Sequence, residues 1–312
     1  MEKFRLTTPV LFIIFKRPDT TAKVFEQIRK AAPPKLYVAA DGPRPGVPDE
    51  AERCRQTREI VRKIDWPCEV KTLFRETNLG CRLGAAGAVT WFFSEEPEGI
   101  VLEDDCLPEP SFFRYCQETL EKYRDDRRVM MITGDNFKFS EKIGSYSYYF
   151  SRYANMWGWA SWRRAWDLYD IKMTLWPEIR DNGTLFRLFD SPREVRFWSR
   201  QCQLVYEGKI DTWDYQWNLA NWLNHGITVT PNVNLISNIG FANCASHTHD
   251  ATDKYAAMPT TAMTFPLCHP PFVARDAMAD RETFQNNYYV PLLKRICRKI
   301  KTIMMKRSDR NH

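Results

Sequence analysis

Apolar and polar positions along the first hundred residues follow two alternating patterns. Short, fully apolar runs typical of buried strands are separated by longer segments whose apolar residues recur every three or four positions, as in amphipathic helices. The predicted strands cover 10–15, 35–40, 69–74 and 99–102, and the predicted helices cover about 20–32, 50–64 and 82–93. Strands and helices that alternate in this way predict an α/β domain built on a parallel sheet.

The second half of the chain is richer in Trp, Tyr and Phe, with short predicted strands at 129–132 and 147–150. No internal repeat or linker-like run interrupts it. We therefore interpret residues 1–270 as one two-lobed domain, divided at about residue 135 into a first half and a second half over 136–270. A C-terminal extension covers 271–312.

Length and composition restrict the class of protein. With 312 residues and 44% hydrophobic content, the chain can bury a sizeable core. Its apolar runs are shorter than the ~20 residues of a membrane-spanning helix, and its N-terminus lacks the apolar stretch of a signal peptide. The nine cysteines form no CxxC pair, which favours free thiols over a zinc site or a disulfide framework. These features predict a cytoplasmic protein.

The net charge of +6 is concentrated at the C-terminus. From residue 290 onward there are eight basic residues and one acid, so the rest of the chain is close to neutral. A nucleic-acid-binding domain would spread its basic residues over a folded face, and we therefore expect no nucleic-acid partner. Residues 291–307 predict an amphipathic helix with basic residues around an apolar stripe, which suits either an anionic membrane surface or a helix docked on the protein body. The first alternative predicts a peripheral protein on the inner face of the membrane.

Polar side chains follow each of the four predicted parallel strands. Arg17 follows the first strand, Asp41 the second and Arg75 the third, while Glu103-Asp104-Asp105 comes directly after the fourth. Because the carboxyl ends of parallel strands meet at one edge of a sheet, these residues should converge on a single crevice. Arg75 would then contact a ligand there, although the Asn78-Leu79-Gly80 segment that follows it is also explained by turn chemistry.

Three adjacent acids at the end of a buried strand repel one another unless a cation compensates them. The chain has only five histidines, so carboxylates would have to carry a metal site. Hard oxygen ligands suit Mg²⁺ or Mn²⁺. The alternative is an acidic loop that is merely solvated at the strand end.

Leu102-Glu103-Asp104-Asp105, followed by Pro108-Glu109-Pro110, resembles the Glu-Asp-Asp form of the DxD motif in GT-A glycosyltransferases. The pattern is similar to bacterial family-2-like transferases of surface-polysaccharide synthesis and to the Golgi N-acetylglucosaminyltransferase that initiates complex N-glycans. The resemblance extends over about residues 9–250 and includes Trp157-Gly158-Trp159, Trp213-Asp214 and Ser246-His247. It implies a GT-A fold, a Rossmann-like mixed sheet flanked by helices. One departure is the run 241–247, which lacks the glycine that the family often has there.

The resemblance implies donor-side roles at matching positions. Asp105 would bind the metal, while Glu103 and Asp104 would organise the ribose and the water shell of the metal. Asp41 would contact the nucleobase and Arg17 the diphosphate. Each position also has a structural explanation, since Asp41 precedes Gly-Pro and would cap a turn, and Arg17 would bridge two loops.

The acceptor side has its own candidates. Trp157 and Trp159 are suited to stack on the apolar faces of a sugar, or else they belong to the core, as large aromatics usually do. In the family a carboxylate in a Trp-Asp context deprotonates the acceptor hydroxyl, which would be Asp214 here, unless it serves only as a first-turn helix acid. His247 is a further ligand candidate for metal or phosphate, with a structural role as the alternative.

The resulting expectation is an inverting, metal-dependent hexosyl- or N-acetylhexosaminyltransferase. Its donor would be a nucleotide-diphosphate sugar, with a UDP-sugar favoured, and its acceptor a glycan or a lipid-linked molecule in surface polysaccharide or glycolipid synthesis. A non-catalytic carbohydrate-binding or scaffold protein with the same fold is the main alternative. A sugar-nucleotide pyrophosphorylase would need a glycine-rich loop after the first strand, and Phe15-Lys16-Arg17-Pro18 contains no glycine.

Overall fold

The computed structural model describes residues 4–137, 143–241 and 254–288 of the 312-residue chain. Within this part of the chain most strands form one large mixed sheet with helices packed on it, and two short strands form a small sheet beside it. The predicted α/β class, a mixed sheet flanked by helices, is confirmed. The predicted tail helix at 291–307 lies outside the described residues.

Strand and helix alternate along the first half, as the sequence predicted. The strands are β1 (Val10–Ile14), β2 (Lys35–Ala40), β3 (Glu69–Phe74), β4 (Glu98–Glu103), β5 (Cys106–Pro108), β6 (Val129–Thr133), β7 (Tyr148–Ser151), β8 (Gly158–Trp162), β9 (Ile227–Pro231) and β10 (Ile236–Asn238). The helices are α1 (Pro18–Ala31), α2 (Glu50–Ile60), α3 (Gly80–Glu95), α4 (Ser111–Tyr123), α5 (Arg163–Trp166), α6 (Trp176–Asp181), α7 (Thr184–Leu188), α8 (Pro192–Tyr206), α9 (Asp214–Leu223) and α10 (Ala277–Thr283), followed by a π-helical turn, Phe284–Tyr288.

The strands of the large sheet have the order β3-β2-β1-β4-β8-β6-β9-β7. β1 to β4 are parallel, and β8 lies antiparallel between β4 and β6. Since β2 lies on one side of β1 and β4 on the other, the chain order reverses between β1 and β4. Ligands of open α/β sheets bind at such a switch point, beyond the carboxyl ends of the strands.

The core has one layer on each face of this sheet. Successive side chains of a strand point to opposite faces, so Val10 and Phe12 of β1 pack in one cluster with Val24 of α1, whereas Leu11 packs in another with Phe92 of α3. All of these residues are buried. Burial on both faces explains why the parallel strands are apolar throughout instead of alternating.

A third cluster supports the second half of the chain. Helices α6 to α9 pack around Trp176, Trp198 and Trp222, and Phe284 of the π-helical turn joins them. This packing fixes the start of α9 beside the switch-point edge of the sheet. None of the described helices combines the length and the apolar character that crossing a membrane requires.

Candidate functional site

A cleft of about 680 Å³ lies at the switch point. It is lined by all six polar residues that follow the parallel strands: Arg17, Asp41, Arg75, Glu103, Asp104 and Asp105. Trp157 lines the cleft as well, from the loop before β8. The topology explains this convergence, because β1 to β4 run parallel and end at the same edge.

Arg17 forms ion pairs with two of the three adjacent acids. Its Nη1 donates to Asp105 Oδ2 at 2.7 Å and its Nη2 donates to Asp104 Oδ1. The second oxygen of Asp104 accepts a hydrogen bond from the backbone N–H of Phe15 at 3.2 Å. The guanidinium therefore relieves part of the repulsion among the acids, which the sequence had suggested a metal would relieve.

Glu103 takes no part in these ion pairs. Burial and, after it, the nearby charge of Asp105 together raise the pKa of Glu103 to about 8. Burial also raises the pKa of Asp104, against the opposing effect of Arg17. Burial and the charge of Asp105 thus favour the neutral, protonated form of Glu103, which lines the cleft.

The positive and negative charges that line the cleft nearly balance. Its charged lining consists of the cations Lys16, Arg17, Arg44 and Arg75 and the acids Asp41, Glu103, Asp104, Asp105 and Asp211. With every carboxyl ionised, five acids oppose four cations. An anionic ligand would thus bind more readily together with a divalent cation than alone.

The oxygen donors of the cleft fit a hard divalent cation. Asp105 keeps 12% of its side chain exposed, and among the residues that the structure describes its Oδ1 accepts only the weak thiol donor of Cys106, at 3.4 Å. Glu103 is partly exposed, whereas both oxygens of Asp104 accept N–H groups within the protein. No group of three or more His, Cys, Asp or Glu side chains in the described ranges is arranged to hold a metal. Mg²⁺ commonly takes only one or two protein carboxylates and completes its shell with water and phosphate oxygens. His247 lies outside the described residues.

Asp41 and Arg75 lie against the start of helix α3. The carboxylate of Asp41 accepts the N–H of Leu79 at 2.9 Å and that of Gly42 at 3.1 Å, and burial raises the pKa of Asp41. Arg75 Nη1 donates to the carbonyl of Gly84 at 3.2 Å. Asp41 thus holds the turn before α3, the structural role the sequence left open, and it also lines the cleft.

Asp214 is the predicted base, and Asp211, three residues earlier, is its nearest competitor for this role. The structure places these two carboxylates differently. Asp211 is exposed in the cleft wall and accepts the N–H groups of Cys81 at 3.0 Å and Arg82 at 3.4 Å, so it caps helix α3 from another part of the chain. Asp214 begins α9 and accepts the hydroxyl of Thr212 and the N–H of Tyr215 at 2.9 Å. It is partly buried and does not line the cleft, although its charge helps to raise the pKa of Glu103.

The two tryptophans predicted to bind the acceptor separate in the structure. Trp157 is partly exposed at the cleft, where its ring lies 5.7 Å from that of Phe241. Trp159 is 0% exposed and packs in the core against Trp213 and Trp217. The expectation that Trp159 lines the cleft is therefore corrected. Side chains alternate along β8, and that of Trp159 points into the core layer that packs against α3, so it cannot contact a ligand.

Sequence reasoning overlooked several residues of the cleft. Lys16 and Arg44 line its mouth and are fixed by the buried carboxylate of Glu50, whose pKa is lowered to about 2 chiefly by its hydrogen bonds with Arg44. Gly240 lies against the Arg17–Asp105 pair. The adjacent basic residues Lys16 and Arg17 were a visible signal, whereas nothing near Gly240 in the sequence indicates its neighbours.

A buried carboxylate also supports Trp157. Asp135 follows β6, is 0% exposed and accepts the N–H of Trp157 through Oδ2 at 3.0 Å. No group in the described part of the chain donates to its Oδ1. Burial raises the pKa of Asp135 to about 7.

No protein-family model matches the sequence, and no curated protein matches it. Some solved structures are similar to this chain over part of its length. The TarS fragment 1–349 from S. aureus aligns over 72% of this chain and 58% of its own, with 8% identity and a TM-score of 0.40. The chain thus spans less than two thirds of that structure.

Two further structures share part of the architecture. A UDP-glucose pyrophosphorylase complexed with UDP-glucose aligns over 72% of this chain and 90% of its own, with 9% identity and a TM-score of 0.37. Glucosyl-3-phosphoglycerate synthase from Mycobacterium tuberculosis, in complex with Mn²⁺, UDP and phosphoglyceric acid, aligns over 51% and 56%, with 10% identity and a TM-score of 0.29.

Proposed function

We propose that the chain is an inverting glycosyltransferase of the GT-A type, which moves a sugar from a nucleotide-diphosphate donor to an acceptor hydroxyl. A UDP-sugar is the favoured donor, and the acceptor is a glycan or a lipid-linked molecule of surface polysaccharide or glycolipid synthesis. The observation that carries this proposal is the meeting of Arg17, Asp41 and the Glu103–Asp105 acids in one cleft at the switch point. A cleft in this position, with basic and acidic groups side by side, suits a nucleotide diphosphate.

On the donor side, Arg17 would bind the diphosphate and stabilise the charge that develops on it as the sugar leaves. Its ion pairs with Asp104 and Asp105 hold the guanidinium in place beforehand. Asp41 would contact the nucleobase and Arg75 would contribute a second positive charge. Glu103 and Asp104 would orient the ribose.

Asp105, with Glu103 beside it and His247 as a further candidate, would hold Mn²⁺ or Mg²⁺. The cation would supply Lewis-acid stabilisation of the leaving diphosphate. Because a bound cation favours the ionised form of a carboxylate, it would oppose the effect of burial, which favours the protonated form of Glu103.

On the acceptor side, Asp214 would accept the proton of the attacking hydroxyl. An acid that coordinates a cation is too weak a base, so this role needs a carboxylate away from Asp105. Asp214 is partly buried at the start of α9 and oriented by Thr212. Trp157 would form the wall against which the acceptor sugar stacks.

The test is cation-dependent nucleotide binding in Asp105→Asn. We expect Mn²⁺ and UDP together to raise the melting temperature of the wild type, since ligands bound only by the native state stabilise it. UDP alone should have little effect. In Asp105→Asn the stabilisation should disappear, while Asp65→Asn, which removes an exposed acid outside the cleft, should respond like the wild type.

Donor hydrolysis without acceptor separates the rival functions. A transferase releases sugar slowly from its donor to water, so a wild type that binds the nucleotide with Mn²⁺ should also hydrolyse a UDP-sugar. Binding without any hydrolysis across a panel of nucleotide sugars would favour the carbohydrate-binding or scaffold alternative. Unchanged nucleotide affinity in Asp105→Asn would refute the metal assignment.

A further inference from the structure

Helix α8 presents arginines along one exposed face. Arg193, Arg196 and Arg200 are spaced three and four residues apart, so they lie on the same side of the helix, and all three are exposed. The opposite side is buried in the third core cluster, where Trp198 and Cys202 pack. We call the exposed side, formed by Arg193, Arg196 and Arg200, the arginine face.

Two of the three arginines of this face have no acidic partner among the described residues. In the ranges that the structure describes, Arg196 and Arg200 form no ion pair. Glu194 of the same helix is buried and accepts the hydroxyl of Tyr153, so it points away from the face. Asp190, just before the helix, pairs with Arg152 and Arg275.

The neighbouring helix α7 carries an exposed aromatic residue. Helix α7 packs against α8 and carries Phe186, which is 65% exposed, and the exposed Arg187. Basic side chains beside an exposed aromatic ring are the combination that binds the interface of an anionic membrane, because the ring inserts while the cations remain among the phosphates.

The basic tail begins close to the arginine face. Phe197 of α8 packs against Phe284 and Tyr288, with ring centroids 5.8 and 5.6 Å apart, and Tyr288 is the last described residue. Eight basic residues follow in the sequence beyond residue 289. Like charges do not dock on each other, so the tail and the arginine face suit the same anionic partner.

We propose that the arginine face is a docking surface for an anionic lipid bilayer, formed by the folded body in addition to the tail. Helix α8 also packs against α9, which begins with Asp214. One consequence rests on the proposed function. A bilayer held at the arginine face lies against the second half of the domain, which contains Asp214, and this position suits a lipid-linked acceptor.

Vesicle sedimentation with the full chain tests the docking without reference to activity. The wild type should sediment with vesicles that contain phosphatidylglycerol, less so at high salt, and should not sediment with pure phosphatidylcholine vesicles. Each basic residue at an anionic surface contributes about 1 kcal/mol, so the double variant R196Q/R200Q should bind about 30-fold more weakly. Both residues are exposed, and an unchanged melting temperature would show that the fold is retained.

The matched control is R55Q/R62Q, which removes the same charge from two arginines of the α2 region that are 62% and 68% exposed. It should bind almost as well as the wild type, since long-range charge alone is screened beyond about 10 Å. Equal binding by the two double variants would overturn the proposal, as would a wild type that ignores both vesicle types. The proposal would also be overturned if the wild type bound a single-stranded oligonucleotide but no vesicles, and if R196Q/R200Q lost the oligonucleotide binding. Because no step depends on sugar transfer, failure of the proposed function would leave these results unchanged.

Discussion

At the scale of single residues, Gly240 controls the geometry of the Arg17–Asp105 pair. A Cβ atom at this position would lie 2.1 Å from Asp105 Oδ2 and 2.7 Å from Arg17 Nη1, well inside van der Waals contact. Gly240→Ala should therefore push the pair apart, lower the free energy of unfolding by roughly 1–3 kcal/mol and weaken the binding of UDP with Mn²⁺. Denaturant unfolding and ligand-dependent melting measure the two effects.

Gly208→Ala is the control for this substitution. Gly208 has a φ of +69°, and a Cβ atom added there would meet nothing within 4 Å, so alanine introduces backbone strain without a collision. We expect a loss of about 1 kcal/mol with unchanged ligand binding. Unaltered binding in Gly240→Ala would show that the Arg17–Asp105 pair is free to move aside.

Asp135 should make stability depend on pH. Its pKa is about 7 in the folded protein against 3.8 for an ordinary aspartate, so between these values the folded state keeps a proton that the unfolded state loses. The contribution of Asp135 is thus fully present below pH 4 and is lost as the pH rises through 7. The variant Asp135→Asn has no group that ionises at this position, so it does not lose this stability as the pH rises. Its side-chain oxygen can still accept the N–H of Trp157.

We expect Asp135→Asn to gain stability relative to the wild type as the pH rises from 4 to 7, by about 1.4 kcal/mol per unit. Denaturant unfolding at several pH values measures the difference. Parallel stability curves for the two proteins would mean that Asp135 is already ionised in the folded state.

The choice between Asp214 and Asp211 as general base is also decided residue by residue. Asp214→Asn keeps the shape but removes the basicity, so turnover should fall by about 10² to 10⁴ with donor affinity nearly unchanged. Asp211→Asn should mainly weaken the cap of α3, costing about 1 kcal/mol of stability. Normal turnover in Asp214→Asn together with an inactive Asp211→Asn would reverse the assignment.

At the scale of elements, the sequence predicted β1, β2 and β4 because runs such as Val10–Ile14 are apolar on both faces, as strands covered on both sides must be. It did not predict β8. Gly158–Trp162 contains two tryptophans, and aromatic composition is the same for a core strand and for a sugar-binding wall. Only the position of β8 between β4 and β6 decides that Trp159 belongs to the core.

The candidate site, like the sheet, was predictable only in part. Parallel strands place Arg17, Asp41 and Glu103 at one edge, and the sequence was sufficient for that step. It did not identify Asp211 as the residue that caps α3, because the bonded residues are about 130 positions apart. Helix α3 has no acidic residue in its own first turn, which in hindsight was the signal that a carboxylate must come from elsewhere.

At the scale of the whole molecule, one sheet joins both halves of the chain, since β8 of the second half lies between β4 and β6 of the first. The halves also meet across the cleft, where Asp211 binds the first turn of α3. The sheet connection is permanent in the folded state. The connection through Asp211 consists of two hydrogen bonds at an exposed carboxylate, so it is the one that opens most easily.

The caps of α3 consequently provide a built-in reporter in amide hydrogen exchange. The N–H groups of Cys81 and Arg82 are held by Asp211 from the second half, whereas the N–H of Leu79 is held by Asp41 within the first half. If the cleft opens in solution, Cys81 and Arg82 should exchange with deuterium faster than Leu79. A nucleotide that holds the halves together should slow the first two amides more than the third, which would show the closure of the cleft without any measurement of catalysis.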